Sequence, residues 1–191
     1  MIKKQAEERK MFYKILIQII GIIGMIFGIV SYQMNKHKGI MLMKTLSEST
    51  FALQFLLLGS YTGLAMNVIG ITRNMTFSRL VAKGKNVKPF VALFSVIMIA
   101  AGAFTWEGYI SLLPILGKLC TTFAFAIKNP KYVRIFTIPS CLLWMIYDGI
   151  SSSFAGILTE TFGLCSIAIA YFRYDFKKKN QIPENAGLKT K

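Results

Sequence analysis

Asn67 and Glu160 are polar side chains set deep inside long apolar runs, and exactly one spacing relates them: 93 residues. Polar groups at membrane depth are costly and therefore mark functional positions. The same spacing joins two aromatics in neighbouring runs, Phe51 and Trp144. An amide and a carboxylate hydrogen-bond a polar solute, and aromatic faces cover its apolar surface. These four residues are the expected substrate-binding set, lining one central pocket. The alternative is that Asn67 and Glu160 hold helices together, with Phe51 and Trp144 as packing or interface anchors. A carboxyl such as Glu160 in a low dielectric is also a candidate proton carrier.

Other polar residues have simpler readings. Lys44 and Glu48 stand four apart, the spacing of a neutralising pair along one helix. Tyr147 and Asp148 fall near the end of an apolar run, where an entrance would lie. Arg73 and Lys118 either reach an aqueous surface or meet a carboxylate. Cys120, Cys141 and Cys165 lie in apolar runs without CxxC spacing, so neither a disulfide framework nor a zinc site is expected. The single histidine, His37, excludes multi-histidine metal sites and histidine-based triads. Neither GxxxxGK[ST] nor GxGxxG occurs. The Asn74-Met75-Thr76 sequon falls at an expected cytoplasmic helix end. No enzyme, cofactor or metal is expected.

The elements that must position these residues follow from composition. The chain has 191 residues, 54% hydrophobic and 16% charged, against about a quarter charged in soluble domains. Mean hydropathy is +0.51. Net charge is +15, but the basic residues sit between apolar runs, which indicates membrane loops instead of a nucleic-acid face. A spanning helix needs about 20 mostly apolar residues. Seven segments qualify, about 12–33, 39–59, 61–81, 90–107, 109–128, 132–150 and 153–174. The first is too long for a signal-peptide core and reads as a retained helix. The fold class is therefore an all-α integral membrane protein with seven transmembrane helices.

Lys and Arg concentrate in alternate loops: Lys36 and Lys38; Arg79, Lys83, Lys85 and Lys88; Lys128, Lys131 and Arg134; and the C-terminal segment with Arg173 and Lys177 to Lys179. The intervening loops hold Glu107 and Ser151-Ser152-Ser153. This places the C-terminus in the cytoplasm and the N-terminus outside, against the basic N-terminal tail. The Lys cluster 177–179 suits topology and lipid headgroups. Expected partners are the lipid bilayer and a small polar solute, with no nucleic acid; a homo-oligomer is left open.

Sliding the chain by 93 residues aligns 21–82 with 114–175 without a gap, matching Gly24 with Gly117, Ser60 with Ser153, Gly63 with Gly156 and Gly70 with Gly163. The expectation is a 3+1+3 parallel repeat. Its parts are an N-terminal tail (1–11), a first three-helix bundle (12–81), a basic loop and linker helix (82–108), a second bundle (109–174) and a basic disordered tail (175–191). Parallel repeats with a midplane site are a known transporter plan. Pro114 and Pro139 are expected to bend their helices. Gly21, Gly24 and Gly28 form a small-residue packing face.

The stretches LLLGSYTGLAMNVIGITRN (56–74), SLLPILGKLCTTFAFAI (111–127) and SCLLWMIYDGISSSFAGILTE (140–160) resemble the YgjV-type family of bacterial inner-membrane proteins. The resemblance spans about 15–175 and implies a multi-pass protein of the cytoplasmic membrane. The layout is also similar to the SWEET and PQ-loop facilitators of sugars and small solutes. That likeness implies an amide on helices 3 and 7 and prolines in hinging helices. Asn67 fits the first position, Glu160 replaces the second, and helices 1 and 2 have no proline. The function expected is a small-solute transporter of alternating-access type, the alternative being a structural or accessory membrane protein.

Overall fold

The computed structural model describes residues 2–151 and 153–176, so the tail expected to be disordered, with Lys177 to Lys179, lies outside the described residues apart from its first positions. The described residues form helices joined by short turns. They are α1 (Ile2–Gln33), α2 (His37–Leu58), α3 (Tyr61–Ala82), α4 (Lys88–Phe104), α5 (Leu112–Phe125), α6 (Pro130–Ile150) and α7 (Phe154–Ala170). A 3-10 turn, Tyr109–Ser111, leads into α5, and a π-helical turn, Tyr171–Phe176, continues α7.

Helix ends follow local chemistry. Gly59 closes α2 at φ 74°, a left-handed value that glycine adopts without Cβ strain, and Ser60 N–H returns to the Phe55 carbonyl at 3.0 Å. Asn129 caps α6 through its side chain, which accepts from Lys131 N–H, while Pro130 takes the first turn, where no amide hydrogen is needed. Ser153 caps α7 by accepting from Gly156 N–H.

Two expectations about the elements change. Helix α1 begins at Ile2, so described residues of the 1–11 tail are helical. The segment KKQAEERKM has strong helix formers and neither glycine nor proline to stop the turn. Pro114 lies in the first turn of α5, where a missing N–H breaks no internal bond, so it starts a helix and does not bend one. Pro139 is inside α6 as expected and leaves the Ile135 carbonyl without its helical donor.

The helices form a closed circuit. Helix α2 packs between α1 and α3, α6 packs between α5 and α7, α1 meets α7, and α3 meets α5; α4 lies against α3 and α5. Gly21 receives Gln54 and Ala155, Gly24 receives Phe51, and Gly28 receives Ser47, so the glycine face of α1 is a packing face. Large apolar side chains such as Ile22, Ile26, Leu56, Val96, Leu142, Ile146 and Phe162 point outward and are exposed. Glu48, Asn67, Arg73, Lys118 and Asp148 are buried. That reversal of the usual soluble arrangement is what a hydrocarbon solvent requires.

Three segments are long and apolar enough to cross a bilayer: Glu7–Gln33, Pro130–Ile150 and Phe154–Arg173. Lys88–Phe104 and Tyr109–Phe125 are apolar but shorter. Helices α2 and α3, each of 22 residues, have the length, but their mean polarity is raised by the side chains they turn inward.

A central cavity with a buried ion network

The helix circuit encloses a cavity of about 70 Å³, room for a few waters or a solute of few heavy atoms. All four residues expected at a binding site line it: Asn67, Glu160, Trp144 and Phe51. Tyr32 and Phe125, both buried, lie toward the ends of α1 and α5, beside basic loops. Phe55 and Asp148 lie toward the opposite end and are 2% and 3% exposed.

Within the cavity wall, the Glu48 carboxylate gathers donors from two other helices. Lys118 Nζ donates to Glu48 Oε1 at 2.7 Å, and Arg73 Nη2 donates to the same oxygen at 3.2 Å. Asn74 Nδ2 donates to Oε2 at 3.0 Å. Gly70 allows this approach, since a Cβ there would collide with the carboxylate. Arg73, fully buried, also donates to the Lys118 carbonyl and to the Thr121 and Thr122 hydroxyls, and its guanidinium faces the Phe125 ring at 4.8 Å. Its buried charge is thus both paired and hydrogen-bonded, as burial demands.

This network corrects two readings. Glu48 pairs with Arg73 and Lys118 instead of Lys44, because α3 and α5 bring cations with fixed partners to its inward face. Lys44 instead donates to the Tyr32 hydroxyl at 2.7 Å and stands 3.9 Å from that ring's centre. Asn74 is an internal member of the network in the body of α3, not a helix-end residue.

The predicted residues differ in how free they are. Asn67 donates from Nδ2 to the Gly63 carbonyl at 2.9 Å and accepts at Oδ1 from Lys118 at 3.1 Å. Its amide is therefore already part of the protein's own network. Trp144 faces the Lys118 ammonium at 5.4 Å from its ring centre, within cation–π range. Phe51 packs toward Phe55, with ring centres 6.3 Å apart. Glu160 is half-buried and forms no ion pair among the described residues.

Sequence reasoning missed Lys118, Tyr32 and Cys141 as cavity residues. For Tyr32 and Cys141 the signal was available in the 93-residue register, whereas the counterpart of Lys118, Met25, is not a lining residue. Of the eighteen lining residues, fourteen form seven couples at that spacing, among them Tyr32 with Phe125, Glu48 with Cys141 and Phe55 with Asp148. Local packing repeats likewise. The Phe51 ring covers Gly24 as the Trp144 ring covers Gly117, and Phe55 covers Gly63 as Asp148 covers Gly156. Ser60 and Ser153, starting α3 and α7, have φ −89° and ψ 86° and 82°. Among the described residues no three His, Cys, Asp or Glu side chains converge on a metal position.

An apolar exterior around a polar, charge-bearing cavity defines a helical membrane protein. The chain belongs to the Imp-YgjV family, described as bacterial inner membrane protein, whose model matches residues 15–178. No curated protein and no solved structure gives a significant match. None of these comparisons shows a likeness to the SWEET and PQ-loop facilitators.

Proposed function

We propose that this inner-membrane protein is a small-solute transporter: two parallel three-helix bundles, α1–α3 and α5–α7, joined by α4, with the solute in the cavity between them. The observation that carries the reading is the pairing of cavity residues at 93-residue spacing. A lining that arose only to fill space has no reason to repeat in register. The helix circuit supports it too. Exchanging α1, α2, α3 for α5, α6, α7 converts the α1–α7 contact into the α5–α3 contact, and both occur. Parallel repeats flanking a central site suit rocking of one bundle against the other.

In this reading Glu160 is a solute ligand, with Trp144 and Phe51 as walls. Asn67 acts through its hold on Lys118 as well as by direct contact. The basic loops face the cytoplasm together with the C-terminus, and the N-terminus lies outside.

The test is uptake by proteoliposomes containing the purified full chain, screened with labelled small polar solutes. Saturable uptake is expected, with Glu160→Ala and Asn67→Ala each lowering apparent affinity by the equivalent of about 1–3 kcal/mol per lost buried hydrogen bond. Absence of uptake across the screen, with a stoichiometric protein partner recovered after gentle solubilisation, would replace this reading with an accessory role.

A further inference from the structure

The cavity already contains a primary ammonium group, and it belongs to the chain. Lys118 Nζ is held by Glu48 Oε1 at 2.7 Å and Asn67 Oδ1 at 3.1 Å, with the Trp144 ring centre 5.4 Å away. Each of these four residues has a counterpart 93 positions away. Glu48 becomes Cys141, Asn67 becomes Glu160, Trp144 becomes Phe51, and Lys118 becomes Met25. The repeat-related set therefore retains a carboxylate, Glu160 on α7, and an aromatic ring, Phe51 on α2, at cavity-lining positions, but its counterpart of Lys118, Met25 on α1, carries no charge.

Asp148 adds an independent sign of a missing cation. It is 3% exposed, lines the cavity, and its Oδ1 has no hydrogen-bond partner among the described residues. A buried carboxylate oxygen without a donor is costly to keep. The carboxyl rests on Gly156, where a Cβ would collide with it. Glu160 follows Gly156 by one helical turn, about 6 Å along α7, on the same face. Helical side chains lean toward the N-terminus, so Glu160 leans toward Asp148. The two lysines that line the cavity are engaged elsewhere, Lys44 with Tyr32 and Lys118 with Glu48 and Asn67, and neither Asp148 nor Glu160 forms an ion pair among the described residues.

We propose that the ligand of this cavity carries a primary ammonium group, held between Asp148 and Glu160 with the Phe51 ring beside it. This rests on the transporter reading for the ligand's being a transported solute, but not for its binding. Three N–H donors and one positive charge match the unpartnered Asp148 Oδ1 and the Glu160 carboxylate, which has no ion pair among the described residues, in charge-assisted bonds of the kind Lys118 makes. A neutral alcohol would leave the carboxylates unpaired, and an anion would be repelled. The cavity's size favours a short amine.

The test is equilibrium binding to the full chain in nanodiscs at neutral pH, where alkylamines are charged. Trp106→Phe leaves Trp144 as the only indole reporter. The probe is n-propylamine, with n-propanol as its neutral counterpart. Saturable change in Trp144 fluorescence is expected with the amine, with the alcohol at least tenfold weaker. Asp148→Asn and Glu160→Gln, which keep side-chain shape, are each expected to weaken amine binding at least tenfold while elution and unfolding midpoint stay unchanged. Ser49→Ala, on the outer face, is expected to have no effect. Equal response to amine and alcohol overturns the proposal, as does wild-type affinity in both folded carboxylate variants. A response to protons or sodium alone also overturns it. Amine binding without flux in proteoliposomes would remove the transporter reading and leave the ammonium site standing; flux of another solute without amine binding would do the reverse.

Discussion

Lys118 Nζ donates to Glu48 Oε1 at 2.7 Å, and that bond ties α5 to α2. Arg73 on α3 donates to the same oxygen, so one carboxylate holds two buried cations from two helices. Glu48 is thus the junction where three helices are fixed relative to one another. A buried ion pair of this kind adds little over an apolar core, but removing one partner strands the others.

Glu48→Gln should therefore destabilise the folded protein by about 3–5 kcal/mol, the cost typical of breaking a buried pair. Unfolding of the detergent-solubilised protein checks this. Adding Lys118→Met should recover part of the loss, since one stranded charge is then gone. An unchanged midpoint in the single variant would show that the network is not holding the helices.

At Gly117, an added Cβ would stand 2.8 Å from Trp144 Cδ1, too close for two carbons. Gly117→Ala should cost about 1–3 kcal/mol through overpacking. Trp144→Phe, the residue type at the corresponding position 51, should relieve the clash. A double-mutant cycle in unfolding free energy is expected to give a clear coupling between the two sites. Additive effects would contradict the observed packing.

The cysteines should differ in reactivity. Cys165 is exposed on the apolar exterior, while Cys141 is 1% exposed and lies 3.5 Å from the Tyr32 hydroxyl. A membrane-permeant maleimide should label Cys165 well before Cys141, as read by mass spectrometry of Cys120→Ser protein. Faster labelling of Cys141 would mean that the cavity wall opens readily.

Compartment-sensitive reporters fused to each end test the orientation. The alternation of basic loops predicts opposite sides, with the C-terminus cytoplasmic. Termini on one side would mean an even number of spans and would remove the shared orientation of the two bundles.

Much of the architecture was readable because hydrocarbon solvent imposes a simple rule on sequence. Any helix facing lipid must show an apolar surface over a bilayer's thickness, so apolar runs mark helices directly. The expected 132–150 segment, for example, corresponds to Pro130–Ile150. Asn67, Glu160, Phe51 and Trp144 were legible as candidates because polar residues at depth are rare and their spacing repeats.

Partner choice was not legible. Along the chain Lys44 is the obvious mate for Glu48, four residues away, yet the carboxylate takes Lys118, 70 positions on. Spacing along one helix records only which residues share a face, whereas burial makes the approach of other helices decisive. Likewise, Asp148 looks like an entrance residue in sequence, and only the approach of Gly156 on α7 turns it into a buried, partly unpartnered acid. The sequence alone determined the helical segments and the family to which they belong, since both are written in local patterns. Only the tertiary structure decided which charges meet and which remain unpaired, because that depends on distances between residues far apart in the chain.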